Sequence, residues 1–373
     1  MEKDNETFKV DLDRIHLGRR PGISGIMRVK NDAEFIDACV ESCIDALDEL
    51  VIVYNGCTDE SPEKIRAIAE RYPDKVRAYH YTPRIYCGAL TAEEYAAAKA
   101  LPENSEALLA NYCNYALAKS TRTHVMKIDT DQIYFSEGLK KLCDEVRSAS
   151  VWRLSPLDLK RFLKVARLVR YFDWKLGDNT PAEFASYRKV LACLCHLGVL
   201  SVALSGVNVF YTEGRWYVPQ GLITGDLNIL PQFNGTGDYL LFKVKKGTRF
   251  VPFDCEEYNA LTSARYTYIE KLTGMPRGFS YGLMWWHLNS MRRNIYKRQQ
   301  QNLRDYPAAF VEAGEYLART PREILDSFKD ESVNDFLKVN YTFYYANAGD
   351  EADPRTLERY TFDPEHGIRD ISR

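Results

Sequence analysis

Asp129 and Asp131 stand one residue apart at the end of the apolar alternation "THVMKIDTDQIYF". Like charges that close repel, and each carboxylate is more stable beside water or a cation. Mg²⁺ or Mn²⁺ resolves the conflict, because hard ions take oxygen ligands, usually one or two carboxylates plus phosphate oxygens and water. A metal held in this way bridges a diphosphate and stabilises charge on a departing nucleoside diphosphate. An Asp-x-Asp alone is weak evidence, since solvated turns contain it by chance. Its position after an apolar strand gives it weight and suggests a sugar-nucleotide site.

The elements upstream support that position. "GISGIMRVKND" predicts a buried strand that breaks at Asn31 and Asp32, and "DAEFIDACVESCIDALD" carries apolar residues at helical spacing. "ELVIVYNGCTDES" is a short apolar strand with an Asn-Gly turn, followed by the helix "SPEKIRAIAERYP", with Ser61 as expected N-cap and Pro62 at the first position. "KVRAYHY", then "SEALLANYCNYALAKS", then the Asp-x-Asp strand complete four strands and three helices. Such alternation implies an α/β fold with parallel pairing, whose ligands sit at the carboxyl ends of the strands.

Further along, residues 147–196 are helical and locally basic, as in "DLKRFLKVARLVRYFDWKLGD". Strands return at Ser201, and "DYLLFKVKKGTRFVPF" predicts a hairpin turning at Lys246-Gly247. "EEYNALTSARYTYIEKLTG" is expected to be a helix ended by Gly274, and the remainder largely helical to about Lys338. The expected division is 23–146, the nucleotide-sugar-binding α/β half; 147–200, a helical insertion; 201–290, an acceptor-side sheet and helix; and 291–373, a helical region and tail.

The 373 residues suffice for one large or two ordinary domains, and a formal net charge of −2 argues against a general nucleic-acid binder. Neither GxGxxG nor GxxxxGK[ST] is present, nor the Gly-rich, Arg-containing loop of nucleotidyltransferases. The nine cysteines show no paired CxxC spacing; Cys39/Cys43 and Cys193/Cys195 are expected to pack rather than ligate. No apolar signal core or run of about 18 apolar residues is visible, and free thiols fit a reducing cytoplasm.

"IMRVKNDAEFIDACVESC", "VIVYNGCTDESPEKIRAIAERYP" and "NYCNYALAKSTRTHVMKIDTDQIYF" together resemble the bacterial β-1,4-N-acetylgalactosaminyltransferase family of lipooligosaccharide synthesis. The resemblance runs from residue 23 to about 140, with weaker traces in "GTGDYLLFKV", "CEEYNAL" and "WWHLNSMRRN". It implies a GT-A glycosyltransferase: a nucleotide-binding mixed sheet flanked by helices, here with a helical insertion. The implied reaction is metal-dependent, inverting transfer of an N-acetylhexosamine, GalNAc favoured, from a UDP-sugar to a surface glycolipid or oligosaccharide. A UDP-galactose or UDP-GlcNAc enzyme and a non-catalytic glycan- or nucleotide-binding protein are the alternatives.

On this sequence the resemblance assigns Asp129 and Asp131 to the metal and donor diphosphate, and Asn55 and Asp59 to the loop that meets the uridine. Arg28 and Lys30 either neutralise phosphate or are a solvated strand end. Inverting transfer needs a base, and such enzymes tend to place it at a helix start well after the Asp-x-Asp. Glu256 and Glu257 occupy that position, with Glu257 preferred over Asp238 and Asp226. His287, followed by Arg292 and Arg293, is either a further metal ligand, which would favour Mn²⁺, or a packed histidine. Trp285 and Trp286 either stack on a sugar or belong to the core. Lys160, Lys164 and Arg167 cluster on one helical face, opposite Phe162, Val165, Val169 and Phe172. A helix of that kind either lies on an anionic membrane or packs on the protein itself.

Overall fold

The computed structural model describes residues 8–171, 181–219, 232–234, 239–255, 265–275, 278–319 and 355–372. They form two compact units, the first drawn from Met1–Ala33, Leu47–Thr130 and Phe242–Pro276, the second from Glu34–Ala46, Asp131–Leu241 and Arg277–Arg373.

In the first unit, β1 (Arg20–Val29), β2 (Glu49–Tyr54), β3 (Val76–His80) and β5 (Arg122–Ile128) run parallel in the order β3-β2-β1-β5. Every residue of "ELVIVY" is buried, as a parallel strand covered on both faces requires. The crossovers include α2 (Ser61–Arg71) and α4 (Leu109–Lys119). Ile26, Val51, Val53 and Val125 pack with Tyr112 and Ala116 of α4. On the opposite face Gly25 makes room for Leu47 and Leu50, to which a Cβ there would lie 2.7 Å and 2.9 Å away. The α/β expectation for this stretch agrees with the structure.

Ser61 is not the cap of α2. It lies inside the helix, where its Oγ accepts the Asp32 N–H at 3.0 Å, while Asp59 Oδ1 accepts the Ser61 N–H at 3.0 Å. A second sheet of this unit has the order β12-β13-β4, from β4 (Gly88–Leu90), β12 (Arg249–Cys255) and β13 (Tyr266–Thr273), with α3 (Ala92–Lys99) between β4 and α4 in the chain. The expected helix over "RYTYIEKLTG" is therefore a strand: its Tyr, Thr and Ile residues suit a pleated surface, and every residue from Thr267 to Thr273 has a partner on β12. The expected hairpin is also corrected. Its turn exists, with Thr248 N–H donating to the Lys245 carbonyl at 3.0 Å, but β11 (Tyr239–Lys243) pairs with residues of the strand Ser201–Asn208 and β12 with β13.

The second unit is built around β7 (Ser201–Asn208) and β14 (Gly278–His287), which are parallel. Antiparallel neighbours are β6 (Gln132–Tyr134) on β14, and β10 (Phe233–Asn234) and β11 on β7, so the sheet is mixed. β14 replaces expected helix. "GFSYGLMWWH" is buried along most of its length, and such a run has no periodicity to separate strand from buried helix. Gly206 lies beneath the Trp285 indole, which a Cβ would overlap.

Helices α1 (Ile36–Cys43) and α5 (Ser136–Ser148), and the pair α6 (Pro156–Tyr171) and α7 (Pro181–Leu197), belong to this unit. The basic, helical character expected for the insertion is observed. Two small sheets, β8 (Phe210–Thr212), β9 (Arg215–Pro219) with β15 (Phe310–Glu312), and β16 (Tyr360–Asp363) with β17 (Gly367–Asp370), stand among α8 (Arg293–Asp305), α9 (Ala313–Ala318) and the short helix Arg355–Glu358. The C-terminal region is thus mixed rather than largely helical among the described residues. Cys39, Cys43, Cys193 and Cys195 are buried free thiols, as their spacing implied. Among the described residues no helix is long and apolar enough to cross a membrane.

Candidate functional site

Parallel pairing of β1 with β5 sets Met27 opposite Ile128, so Arg28 and Asp129 leave neighbouring strands together. The Arg28 guanidinium lies 3.6 Å from Asp129 Oδ1 through Nη2, and its Nη1 donates to Glu270 Oε1 at 2.7 Å. Lys127 Nζ is 3.7 Å from the same Glu270 oxygen. Nη1 also reaches Cys113 Sγ at 3.1 Å. Burial pushes the Cys113 thiol up to about 12, against the pull of Arg28, so the sulfur is uncharged at neutral pH. Glu270 and Asp129 therefore carry the compensation for Arg28. Asp129 itself is 38% exposed and keeps access to solvent.

Sequence reasoning missed Glu270, because it placed that residue in a helix. The signal available was the alternation in "YTYIEKLT", which would have set Glu270 on a strand.

Asn55 and Asp59 organise their loop. The Asn55 amide donates to the carbonyls of Tyr81, at 2.5 Å, and Pro83, at 2.8 Å. Asp59 accepts from the Ala33 N–H through Oδ2 and from the Ser61 N–H through Oδ1, both at 3.0 Å. Burial raises the Asp59 carboxyl, but the Ser61 and Ala33 hydrogen bonds outweigh it and the net shift is downward. Lys30 is exposed, and its backbone N–H donates to Asp32 Oδ2 at 3.3 Å.

In the second unit Asp131 is buried, 6% exposed, at the start of β6. Antiparallel pairing of β6 with β14 puts His287 opposite Gln132, and the Asp131 carbonyl accepts the Leu288 N–H at 2.7 Å. Asp131 Oδ2 accepts from Arg292 Nε at 3.1 Å and Nη2 at 3.0 Å, and His287 Nε2 lies 3.5 Å away. Burial pushes the Asp131 carboxyl up; the charges of His287 and Arg292, with their hydrogen bonds, prevail and hold it well below the usual carboxylate range. Arg292 also lies over the Phe35 ring, 5.7 Å from its centroid. Arg293 turns elsewhere, pairing with Glu34 at 3.1 Å.

His287 and Asn208 end neighbouring strands in register, and His287 Nδ1 meets Asn208 Oδ1 at 2.5 Å. With a carbonyl oxygen as its partner, Nδ1 carries a proton, which leaves Nε2 facing Asp131: a charged ring donates from it to the carboxylate, and a neutral ring offers its lone pair there. A histidine whose far nitrogen is anchored by an acceptor is the usual preparation for metal ligation. An imidazole nitrogen beside a carboxylate oxygen is a donor set that suits Mn²⁺. Among the described residues no group of three or more His, Cys, Asp or Glu side chains is placed to hold a metal by itself. A divalent ion on Asp131 and His287 would complete its shell with substrate oxygens and water, as is ordinary for Mg²⁺-type sites. The residues present fit such an ion on that condition.

Trp285 and Trp286 are core residues, both 0% exposed. Trp285 packs on Tyr134 and donates to Asn234 Oδ1 at 3.2 Å; Trp286 packs on Phe135. Neither face is open to a sugar. Glu256, Glu257, Asp238 and Asp226 lie outside the described residues.

Residues 23–150 match the family model for β-1,4-N-acetylgalactosaminyltransferase (CgtA). That segment contains Arg28, Asn55, Asp59, Asp129 and Asp131. No curated protein matches the chain. Among solved structures, the chain is similar to glucosyl-3-phosphoglycerate synthase from Mycobacterium tuberculosis, in complex with Mn²⁺, UDP and glucosyl-3-phosphoglycerate. The identity is 23% over 36% of this chain and 40% of that one, with a TM-score of 0.20. It is also similar to S. aureus TarS in complex with UDP, at 18% identity over 34% of this chain and 32% of that one, with a TM-score of 0.21. The chain thus spans two fifths or less of either structure's length.

Proposed function

We propose that the protein is a metal-dependent, inverting GT-A glycosyltransferase that moves an N-acetylhexosamine, GalNAc favoured, from a UDP-sugar to a hydroxyl of a surface glycolipid or oligosaccharide. The observation that carries this reading is the Asp129-x-Asp131 pair following β5, inside the segment that matches the β-1,4-N-acetylgalactosaminyltransferase model.

Asp131 and His287 would hold a divalent cation, Mn²⁺ by the chemistry of the nitrogen donor, with substrate oxygens and water completing its shell; Asp129, two residues before Asp131, is the further candidate ligand. When bound, that ion would neutralise the donor diphosphate and the charge developing on departing UDP. With a neutral ring, Asn208 keeps the His287 lone pair on the ligating nitrogen. Arg28, anchored by Glu270, adds a fixed positive charge beside Asp129 for the donor phosphates. Asn55 and Asp59 shape the loop assigned to the uridine by tying its backbone down, and Lys30 is the exposed cation beside it. Arg292 holds Asp131 ionised and is itself a candidate for the diphosphate, with exposed Arg293 next to it. Glu257 would remove the acceptor proton as the hydroxyl attacks C1, with Asp238 the second candidate.

The same residues would serve a UDP-galactose or UDP-GlcNAc enzyme. A screen of UDP-sugars for Mn²⁺-dependent UDP release, with and without lactose-type and sialylated acceptors, tests the reading. UDP-GalNAc should give the largest acceptor-dependent release. Binding of UDP-sugars with no turnover on any acceptor would favour a non-catalytic binding protein.

A further inference from the structure

Of the two readings open for α6, packing on the protein itself is the one observed. Phe162 is buried, with its ring 5.4 Å from Tyr187 of α7, and Val165 is 0% exposed. Lys164 bonds to Glu183 at 2.9 Å, and Arg161 reaches the Ser186 hydroxyl at 3.4 Å. The helix therefore packs on its own protein through the residues expected to form an apolar membrane face. A different apolar set is left outside. Leu163 is 62% exposed and Leu159, one turn earlier, 47%. Lys160 and Arg167 lie three residues before and four after Leu163, hence on the same face. Immediately before the helix, the single turn Val151–Arg153 presents Val151, 52% exposed, and Trp152, 95% exposed.

A fully solvated indole is unusual in a protein with apolar residues to spare for its core. Tryptophan's amphipathic ring prefers the boundary between water and an apolar phase. The charge along this segment of chain is nearly all of one sign. Between Val151 and Arg167 the only acid is Asp158, which is buried and paired with Lys189 at 2.9 Å. Arg153, Lys160 and Arg167 have no carboxylate partner among the described residues. Protein interfaces are depleted of lysine at their centres, whereas lysine and arginine interleaved with Trp and Leu are the composition of a lipid-interface segment.

We propose that the turn Val151–Arg153 and the outer face of α6 dock on an anionic bilayer. Trp152 and Leu163 enter the headgroup boundary, while Arg153, Lys160 and Arg167 pair with lipid phosphates. This docking is independent of the transfer reaction and stands on the exposed face alone.

Flotation of the full chain with vesicles of phosphatidylcholine, or of phosphatidylcholine mixed with phosphatidylglycerol, tests it. The protein should float with the anionic vesicles at low salt and be released at high salt. Trp152→Ser and Leu163→Ser, both at exposed positions, should each lower the bound fraction without changing the melting temperature. Removing the charge of Lys160 or Arg167 by substitution with Gln should weaken partitioning by about fivefold each. The proposal is overturned by absence of flotation, by equal flotation with neutral vesicles, or by binding that Trp152→Ser leaves unchanged. It is also overturned if light scattering shows a dimer that Trp152→Ser dissolves, since a second copy would then be the occupant.

Discussion

Arg292 grips a single oxygen of Asp131, donating to Oδ2 from Nε at 3.1 Å and from Nη2 at 3.0 Å. The two carboxylates of the Asp-x-Asp therefore differ: Asp131 is buried and paired, whereas Asp129 is 38% exposed with Arg28 at 3.6 Å.

That difference separates stability from activity. Asp129→Ala and Asp131→Ala should both nearly abolish transfer, and EDTA should mimic them. Asp131→Ala should cost the more stability, about 1–3 kcal/mol, because it removes the carboxylate that Arg292 bonds, while the 31% exposure of Arg292 keeps the loss below that of a fully buried pair. Thermal melts of the two variants, run beside UDP-release assays, check this. Equal melting temperatures would show that the Arg292 pair contributes little to stability.

Acid should expose the same pair. The folded-state pKa of Asp131 is lowered, so its contribution is present above the unfolded carboxyl value, about 3.9, and is lost as pH falls through the lower folded value. In that window the unfolded chain binds more protons than the folded one, and stability falls with pH. Asp131→Asn should flatten this part of the stability-versus-pH curve, measured by denaturant melts below about pH 4.

Asn208 offers a test of metal ligation that leaves the ligands intact. Asn208→Leu removes the acceptor for the His287 Nδ1 proton and frees the ring to change tautomer. Metal affinity should fall about 10–100-fold, the usual effect of losing an outer-shell partner. His287→Ala should raise the Mn²⁺ requirement further. A lower melting temperature with an unchanged Mn²⁺ titration would make His287 a packing residue.

Glu270→Gln leaves the size of the side chain but removes the charge that Arg28 and Lys127 share. Donor KM should rise several-fold with little change in kcat, since the loss is one of anchoring for a phosphate-binding cation. An unchanged KM would detach Arg28 from donor binding.

For the base, Glu257→Gln should cut kcat by about 10²–10⁴-fold and leave UDP-sugar affinity nearly unchanged. If Glu257→Gln remains active and Asp238→Asn does not, the proton acceptor is Asp238.

The sequence by itself determined the parallel pairing of β1, β2, β3 and β5 and the placing of Asp129 and Asp131 after β5, while the order β3-β2-β1-β5 came from the structure. Those strands are short apolar runs separated by amphipathic helices, and hydrophobic periodicity reports such local alternation directly. It also carried the buried thiols at Cys39, Cys43, Cys193 and Cys195. What it did not determine depended on partners far away in the chain. β13 is a strand because β12 pairs with it, and β14 because β7 and β6 flank it. Burial on both faces removes the period that would have shown the strand in "GFSYGLMWWH". The same long-range pairing brings His287 to Asn208 and to Asp131, and Glu270 to Arg28, and it buries Trp285 and Trp286. The outer face of α6 was decided in the same way: α7 selected Phe162 and Val165 for burial, and Leu159 and Leu163 remained outside. A helix's sequence limits which faces are apolar, but the neighbour that packs against it chooses which of them meets water.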